Sequence, residues 1–245
     1  MIQAPPPVSP GCCLIIPAFM EEGTVGRVVA KAKDHVDLVL VVDDGSTDRT
    51  GEEASEAGAE VLRIERNGGK GAALRAGFRH VQNRMFEVIL TMDADGQHDP
   101  ADLPSFLDAY VRTGIPVLVG NRLWDRGHIP PVRRWTNIFM SRLLCRIMGT
   151  YLPDTQCGFR LYRADLLPYI STGSQRFAME SEILLQLGYR GYRMDNIRIR
   201  AIYEGHKSEI KPIKDTYRFL VMLARFHRLI RSGVRQRSAA GTGGS

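Results

Sequence analysis

Only four cysteines occur in 245 residues, and they form no framework. Cys12 and Cys13 are adjacent, Cys145 and Cys157 stand alone, and there is no Cys-x-x-Cys or close Cys/His cluster. A disulfide scaffold and a zinc module are thereby excluded; free, mostly buried thiols in a reducing cytoplasm are expected. No run approaches the roughly 18 consecutive apolar residues of a membrane-spanning helix. Met1–Pro10 has neither the basic start nor the apolar stretch of a secretory signal. No internal repeat, Walker GxxxxGK(S/T) loop or GxGxxG turn is present. Aromatic residues make up 8% and do not interleave with bases, so no nucleic-acid stacking platform is visible.

The charge is unevenly spread. Residues 205–245 carry nine Lys/Arg against two acids, whereas the other 204 residues carry 24 bases and 25 acids. A formal charge of +6 therefore describes a near-neutral body with a basic C-terminal end. Within that end, Ile213, Tyr217, Leu220, Leu223, Ala224 and Ile230 fall on one broad apolar side of a helix, with Lys214, Arg218, Arg225 and Arg228 clustering elsewhere. This pattern suits a basic amphipathic helix on an anionic membrane; a helix packed on the sheet or a homo-oligomer contact would produce the same stripe. The chain divides into a flexible leader (1–11), a catalytic-sized body (12–204), the basic helical segment (205–232) and a disordered tail (233–245).

Residues 12–19, 37–44, 59–64, 87–93 and 116–119 are short, largely apolar on both faces, and separated by stretches with helical spacing such as Val25, Val28, Val29 and Ala32. Such alternation predicts parallel βα units, hence an α/β domain with a mainly parallel, Rossmann-type mixed sheet flanked by helices. The second half is less regular, with helices expected near 134–148 and 178–187 and strands at GFRLYR and within YRMDNIRIRAIYE.

Two of the apolar strands end in acid: Asp43-Asp44-Gly45-Ser46 and Asp93-Ala94-Asp95-Gly96. Ligands of open α/β sheets bind at such ends. Carboxylates at 93 and 95, flanking a small Ala94, can turn onto one polar site that suits Mg²⁺ or Mn²⁺, extended by Gln97 and His98. Asp and Gly also terminate strands for purely structural reasons. Between the two clusters lies Asn67-Gly68-Gly69-Lys70-Gly71, whose Lys70 could meet a phosphate or organise an acidic site.

IPAFMEE, VVDDGSTDRT, NGGKGAALRAG and MDADGQHDP, in this order and followed by GNR and DTQCGFRLYR, closely resemble the signatures of family-2 glycosyltransferases with a GT-A fold. The resemblance spans residues 12–204 and leans towards the branch of dolichyl-phosphate glucose and mannose synthases and their bacterial polyprenyl-phosphate relatives. It implies a nucleotide-sugar pocket lined by Pro17, Ala18, Phe19 and Glu21, with Asp43 and Asp44 near the base or ribose and Lys70 supporting the donor. Asp93 would contact donor or metal, and Asp95 and Gln97 the metal. Met20 stands where relatives often carry Asn, and Asp99 where they often carry Pro.

The implied reaction is inverting transfer from a nucleoside-diphosphate sugar, with TQCGF leaning towards a UDP-sugar. A lipid phosphate acceptor is already ionised and needs positioning; a glycan or small-molecule hydroxyl needs a general base. Arg122, Arg134 (with Arg133), Arg160, Lys207 and Lys211 are the candidates for holding an acceptor phosphate. Asp154 or Glu180 would be the base for a hydroxyl, with His98 and His206 as weaker choices. The expected location is peripheral on the cytoplasmic membrane face. A nucleic-acid module built on the basic end and a catalytically dead scaffold are the readings from other classes. The neutral body argues against the first, the intact acidic residues against the second.

Overall fold

The computed structural model describes residues 10–124, 131–170, 177–200, 202, 217, 219–226 and 228. Seven strands form one sheet in the order β3-β2-β1-β4-β6-β5-β7. They are β1 (Cys12–Ala18), β2 (Leu38–Asp43), β3 (Glu60–Arg63), β4 (Val88–Thr91), β5 (Val117–Asn121), β6 (Arg160–Arg163) and β7 (Met194–Arg198). Helices α1 (Val25–Ala32), α2 (Thr50–Glu56), α3 (Lys70–Val81) and α4 (Leu103–Thr113) follow the first four strands in turn. α5 (Pro131–Met148) lies between β5 and β6, and α6 (Phe177–Tyr189) precedes β7.

The central strands are buried on both faces because helices cover both sides of the sheet; Leu14, Ile15, Leu40, Val41, Ile89 and Leu90 are fully inaccessible. α1 seats Val25, Val28, Val29 and Ala32 against the sheet, as their spacing predicts. In α3 the buried face runs through Ala73, Leu74, Gly77, Phe78 and Val81. Ala72 and Ala76 flank that face and are half-buried.

Six strands share one direction, since β1–β2, β1–β4, β2–β3 and β5–β7 are parallel and β5 and β4 both run opposite to β6. β6 inserts between β4 and β5, pairing Thr91 and Val119 with opposite sides of Arg160. This reversal shapes the site. The C-terminal ends of β1, β2, β4, β5 and β7 share one edge of the sheet, and the antiparallel β6 brings its N-terminal lead-in, residues 154–159, to that same edge.

The C-terminal helical stretch packs on the body differently from the expected stripe. Phe219 and Met222 are buried, and the Phe226 ring stands edge-on to Tyr189 at the end of α6 with centroids 6.1 Å apart. Tyr217, Leu220 and Ala224, on the expected apolar side, stay exposed with Arg225 and Arg228. No helix among the described residues is long and apolar enough to cross a membrane.

Candidate active site

The acidic ends of β2 and β4 have different tasks. Asp43 and Asp44 are buried. One Asp43 oxygen accepts from the Ser46 N–H at 2.9 Å, and the other lies 3.4 Å from Arg63 Nη1. Asp44 accepts from the N–H groups of Gly68 at 3.0 Å and Gly69 at 2.6 Å, one on each oxygen, clamping the loop that opens α3. Asp44 thus places Lys70. Beside them, Phe19 is exposed at the end of β1 while Ala18 is buried. The Glu21 N–H donates to Thr50 Oγ1 at 2.8 Å. Met20 adopts φ 57°, a left-handed conformation that Asn tolerates better than Met. Its sulfur accepts from the Thr47 N–H and hydroxyl, both at 3.5 Å.

At the end of β4, Lys70 Nζ lies 2.5 Å from Asp93 Oδ1 and 2.9 Å from Glu180 Oε1. Burial by itself would push the Lys70 pKa down, but the two carboxylates raise it, so the ammonium stays charged. Burial would raise Asp93, yet Lys70 and then His98 hold its carboxyl well below the usual range. His98 is buried, its Nε2 3.8 Å from Asp93 Oδ2 and its ring tilted on Phe159, while its Nδ1 has no hydrogen-bond partner.

Gly158 closes over this cluster. A Cβ there would fall 2.7 Å from Lys70 Nζ and 2.8 Å from both Asp93 oxygens. Its carbonyl accepts from Thr91 Oγ1 at 2.9 Å, fixing the approach. A larger residue there would have to push the ends of Lys70 and Asp93 aside.

Asp95 and Gln97 form a turn beyond Asp93, with the Gln97 N–H donating to Asp95 Oδ1 at 3.0 Å. The Gln97 carbonyl accepts from the Ile202 N–H at 3.0 Å, so the chain leaves β7 beside this turn. The donor set is oxygen-only and partly exposed, which fits Mg²⁺ or Mn²⁺ completed by water and substrate phosphates. Among the described residues no group of three or more His, Cys, Asp or Glu could encage a metal, so a cation here would depend on such outside oxygens.

The arginines correct two expectations. Arg160 is fully buried: its Nε donates to the Cys157 carbonyl at 2.7 Å, Nη2 to Thr155 at 2.8 Å and Nη1 to Glu180 at 2.7 Å. Committed to three carbonyls, it braces the β6 lead-in and α6 from inside the fold. Arg122 follows β5 as expected, but its guanidinium is turned inward onto Asp154, with Nε–Oδ2 at 2.8 Å and Nη2–Oδ1 at 3.1 Å. Burial would raise Asp154, but Arg122 holds its pKa down. The two therefore tie the end of β5 to the β6 lead-in. Arg134 is half-buried in α5, and Lys207, His206, Lys211 and the side chain of Arg133 lie outside the described residues.

Glu180 was legible only as an alternative base, and Gly158 not at all. The available signal was a carboxylate on the apolar face that α6 turns inward, in line with Ile183, Leu184 and Leu187.

A parallel-dominated sheet with carboxylates and a loop lysine gathered at its strand ends places the candidate site where open α/β folds bind ligands. Residues 13–170 match the model of glycosyl transferase family 2, and the chain belongs to that family and is a glycosyltransferase. It is 31% identical over 189 residues to a dolichyl-phosphate hexose transferase of Haloferax volcanii, covering 76% of this chain and 80% of that one. It is 39% identical over 163 residues to an undecaprenyl-phosphate mannosyltransferase of Micrococcus luteus, covering 62% and 66%. The fold matches the GT-A-type structure of Mycobacterium tuberculosis glucosyl-3-phosphoglycerate synthase, solved with Mn²⁺, UDP and phosphoglyceric acid. That match has a TM-score of 0.66 and 18% identity over 81% of this chain and 72% of that one.

Proposed function

We propose that the protein transfers a sugar from a nucleoside-diphosphate sugar, a UDP-sugar, to a polyprenyl phosphate at a membrane surface, with inversion. The observation that carries this reading is the fate of the two candidate bases. Asp154 is buried against Arg122, and Glu180 is buried against Lys70. Each carboxylate is engaged by a cation, which favours an acceptor that arrives already ionised. An acceptor phosphate oxygen bonds to the anomeric carbon as the carbon–oxygen bond to the diphosphate breaks on the opposite face, and no proton has to move.

Asp95, Gln97 and Asp93 would hold a divalent cation, which supplies charge stabilisation for the departing diphosphate. Asp44 keeps the Gly68–Gly69 loop in place, and with it Lys70. The names of the Haloferax and Micrococcus relatives support a lipid-phosphate acceptor, and the UDP and Mn²⁺ of the mycobacterial structure support the donor and cation.

A membrane surface is favoured by the outer face of α5. Trp135 and Phe139 are 68% and 55% exposed, and with exposed Arg142 and Arg146 they form one stripe along the helix. Aromatic rings beside arginines suit the headgroup layer of an anionic bilayer. The exposed Leu220, Val221, Arg225 and Arg228 of the C-terminal helix have the same character.

The test is a panel of UDP-sugars against a short polyprenyl phosphate and the matching polyprenol, with product mass as readout. Glycosylated polyprenyl phosphate and no product from the alcohol are expected; transfer only to the alcohol or a glycan overturns the acceptor. Flotation with anionic vesicles at low salt checks the surface. Trp135→Ser combined with Phe139→Ser should weaken binding, and wild-type protein that never floats removes the membrane from the proposal.

A further inference from the structure

Lys70 has two carboxylate partners, and they are unlike each other. Glu180 is fixed: it sits in the first turn of α6, its side chain is 5% exposed, and its carbonyl is held by Arg160 Nη1 at 2.7 Å. The next residue is held as well, since Gln156 Nε2 donates to Ser181 Oγ at 3.1 Å. Asp93 lies beyond the end of β4, at the start of a turn, and its side chain is 24% exposed. The open carboxylate is also the one assigned to the donor side.

A partly buried ammonium, its side chain 20% exposed, that had a single partner would lose most of its charge compensation when it released that partner. The Gly158 backbone lies against Lys70 Nζ and both Asp93 oxygens, so it limits how far either group can shift on that side. A second, immobile carboxylate removes the conflict.

We propose that Glu180 is a positioning residue that retains Lys70 while Asp93 exchanges its ion pair for the nucleotide and its cation. The inference rests on the assignment of Asp93 to the donor side. Glu180 then abstracts no proton; it acts through Lys70, and Arg160 and Gln156 act by holding the first turn of α6 in place.

The measurement is Mn²⁺ affinity in the presence of UDP, read from the paramagnetic resonance signal of the free ion. Each variant is first shown to be folded by circular dichroism and its melting transition. Glu180→Gln should weaken Mn²⁺ binding about tenfold, the size of a coupled pair. Glu180→Asp, which keeps the charge but is one methylene too short to reach Lys70, should show most of that loss. In a Lys70→Met background, Glu180→Gln should add nothing.

Unchanged affinity in Glu180→Gln overturns the proposal. So does full affinity in Glu180→Asp, or a loss that persists without Lys70, because either means that only the through-space charge matters. The Glu180→Asp arm decides the matter even where Lys70→Met does not fold. Wild-type protein that binds no Mn²⁺ with UDP would sink the donor-site reading itself, and the acceptor panel tests that reading independently of Glu180.

Discussion

Two ion-pair systems lie along the same edge of the sheet, a partly exposed one at the end of β4 and a buried one at the end of β5. At β4, one cation serves two carboxylates, and one of these is partly open. At β5, Arg122 and Asp154 form a bidentate pair at 6% and 0% side-chain exposure. A pair this enclosed ties β5 to the β6 lead-in. The shared lysine has one enclosed partner, Glu180, and one partly open partner, Asp93. The number and exposure of partners, more than the kind of charge, separate a working site from a brace.

The comparison can be broken first at its open side. Asp95→Ala should lower metal-dependent turnover by on the order of 10²-fold or more while leaving circular dichroism unchanged, since stabilisation of leaving-group charge is commonly among the largest catalytic terms. Wild-type turnover in that variant removes Asp95 from the site. On the closed side, Arg122→Ala strands a buried carboxylate and should cost about 3–5 kcal/mol in urea unfolding. A variant that keeps its stability yet loses only the use of polyprenyl phosphate would return Arg122 to the acceptor.

Two glycines sharpen the contrast. Gly158→Ala drives a methyl into Lys70 and Asp93, so activity should fall at least about tenfold, the consequence of a small misplacement at the reacting centre. Gly120→Ala meets Ile199 Cδ1 at 2.7 Å, Cys157 Sγ at 2.9 Å and the Phe159 carbonyl at 3.1 Å. It should cost about 1–3 kcal/mol of stability with turnover per folded molecule retained. Equal activity losses in the two would erase the distinction.

Acid should weaken both systems in the same direction. The folded-state pKa values of Asp93 and Asp154 are depressed, so their contribution is complete above the unfolded carboxylate value of about 4 and is lost as pH falls below it through the folded values. Replacing Asp154 by Asn together with Arg122 by Met should flatten that part of the stability profile in urea melts between pH 6 and 3. An unchanged slope would show that the closed pair contributes no linkage. The smallest expected effect concerns the thiols. Burial pushes Cys13 and Cys157 up to about 12, so maleimide should label neither in the native protein and both after unfolding.

The legible part of the fold follows from local rules. The double burial of β1, β2 and β4, the helical spacing of α1 and the acidic strand ends each depend on a handful of neighbouring residues. The order of the sheet does not. β5 is separated from β4 by β6, and β6 runs against its neighbours because a connection through α5 returns the chain between them. That placement depends on which apolar faces meet, and four residues of GFRLYR carry no direction. The same reversal decides Arg160. Its motif marks it as a cation near the site, but the three carbonyls that absorb it come from residues 155, 157 and 180.

By itself the sequence determined the α/β class, the family, the acidic ends of β2 and β4, and the separation of a neutral body from a basic end. These are periodicities, turn chemistries and short motifs, readable along the chain. Tertiary structure alone decided which charges are spent. It turned Arg122 onto Asp154, enclosed Arg160, set Gly158 against Lys70 and Asp93, and brought Glu180 from a distant helix to share the lysine. Ion pairing depends on burial and on distances between residues far apart in the chain, and neither quantity exists until the sheet has closed.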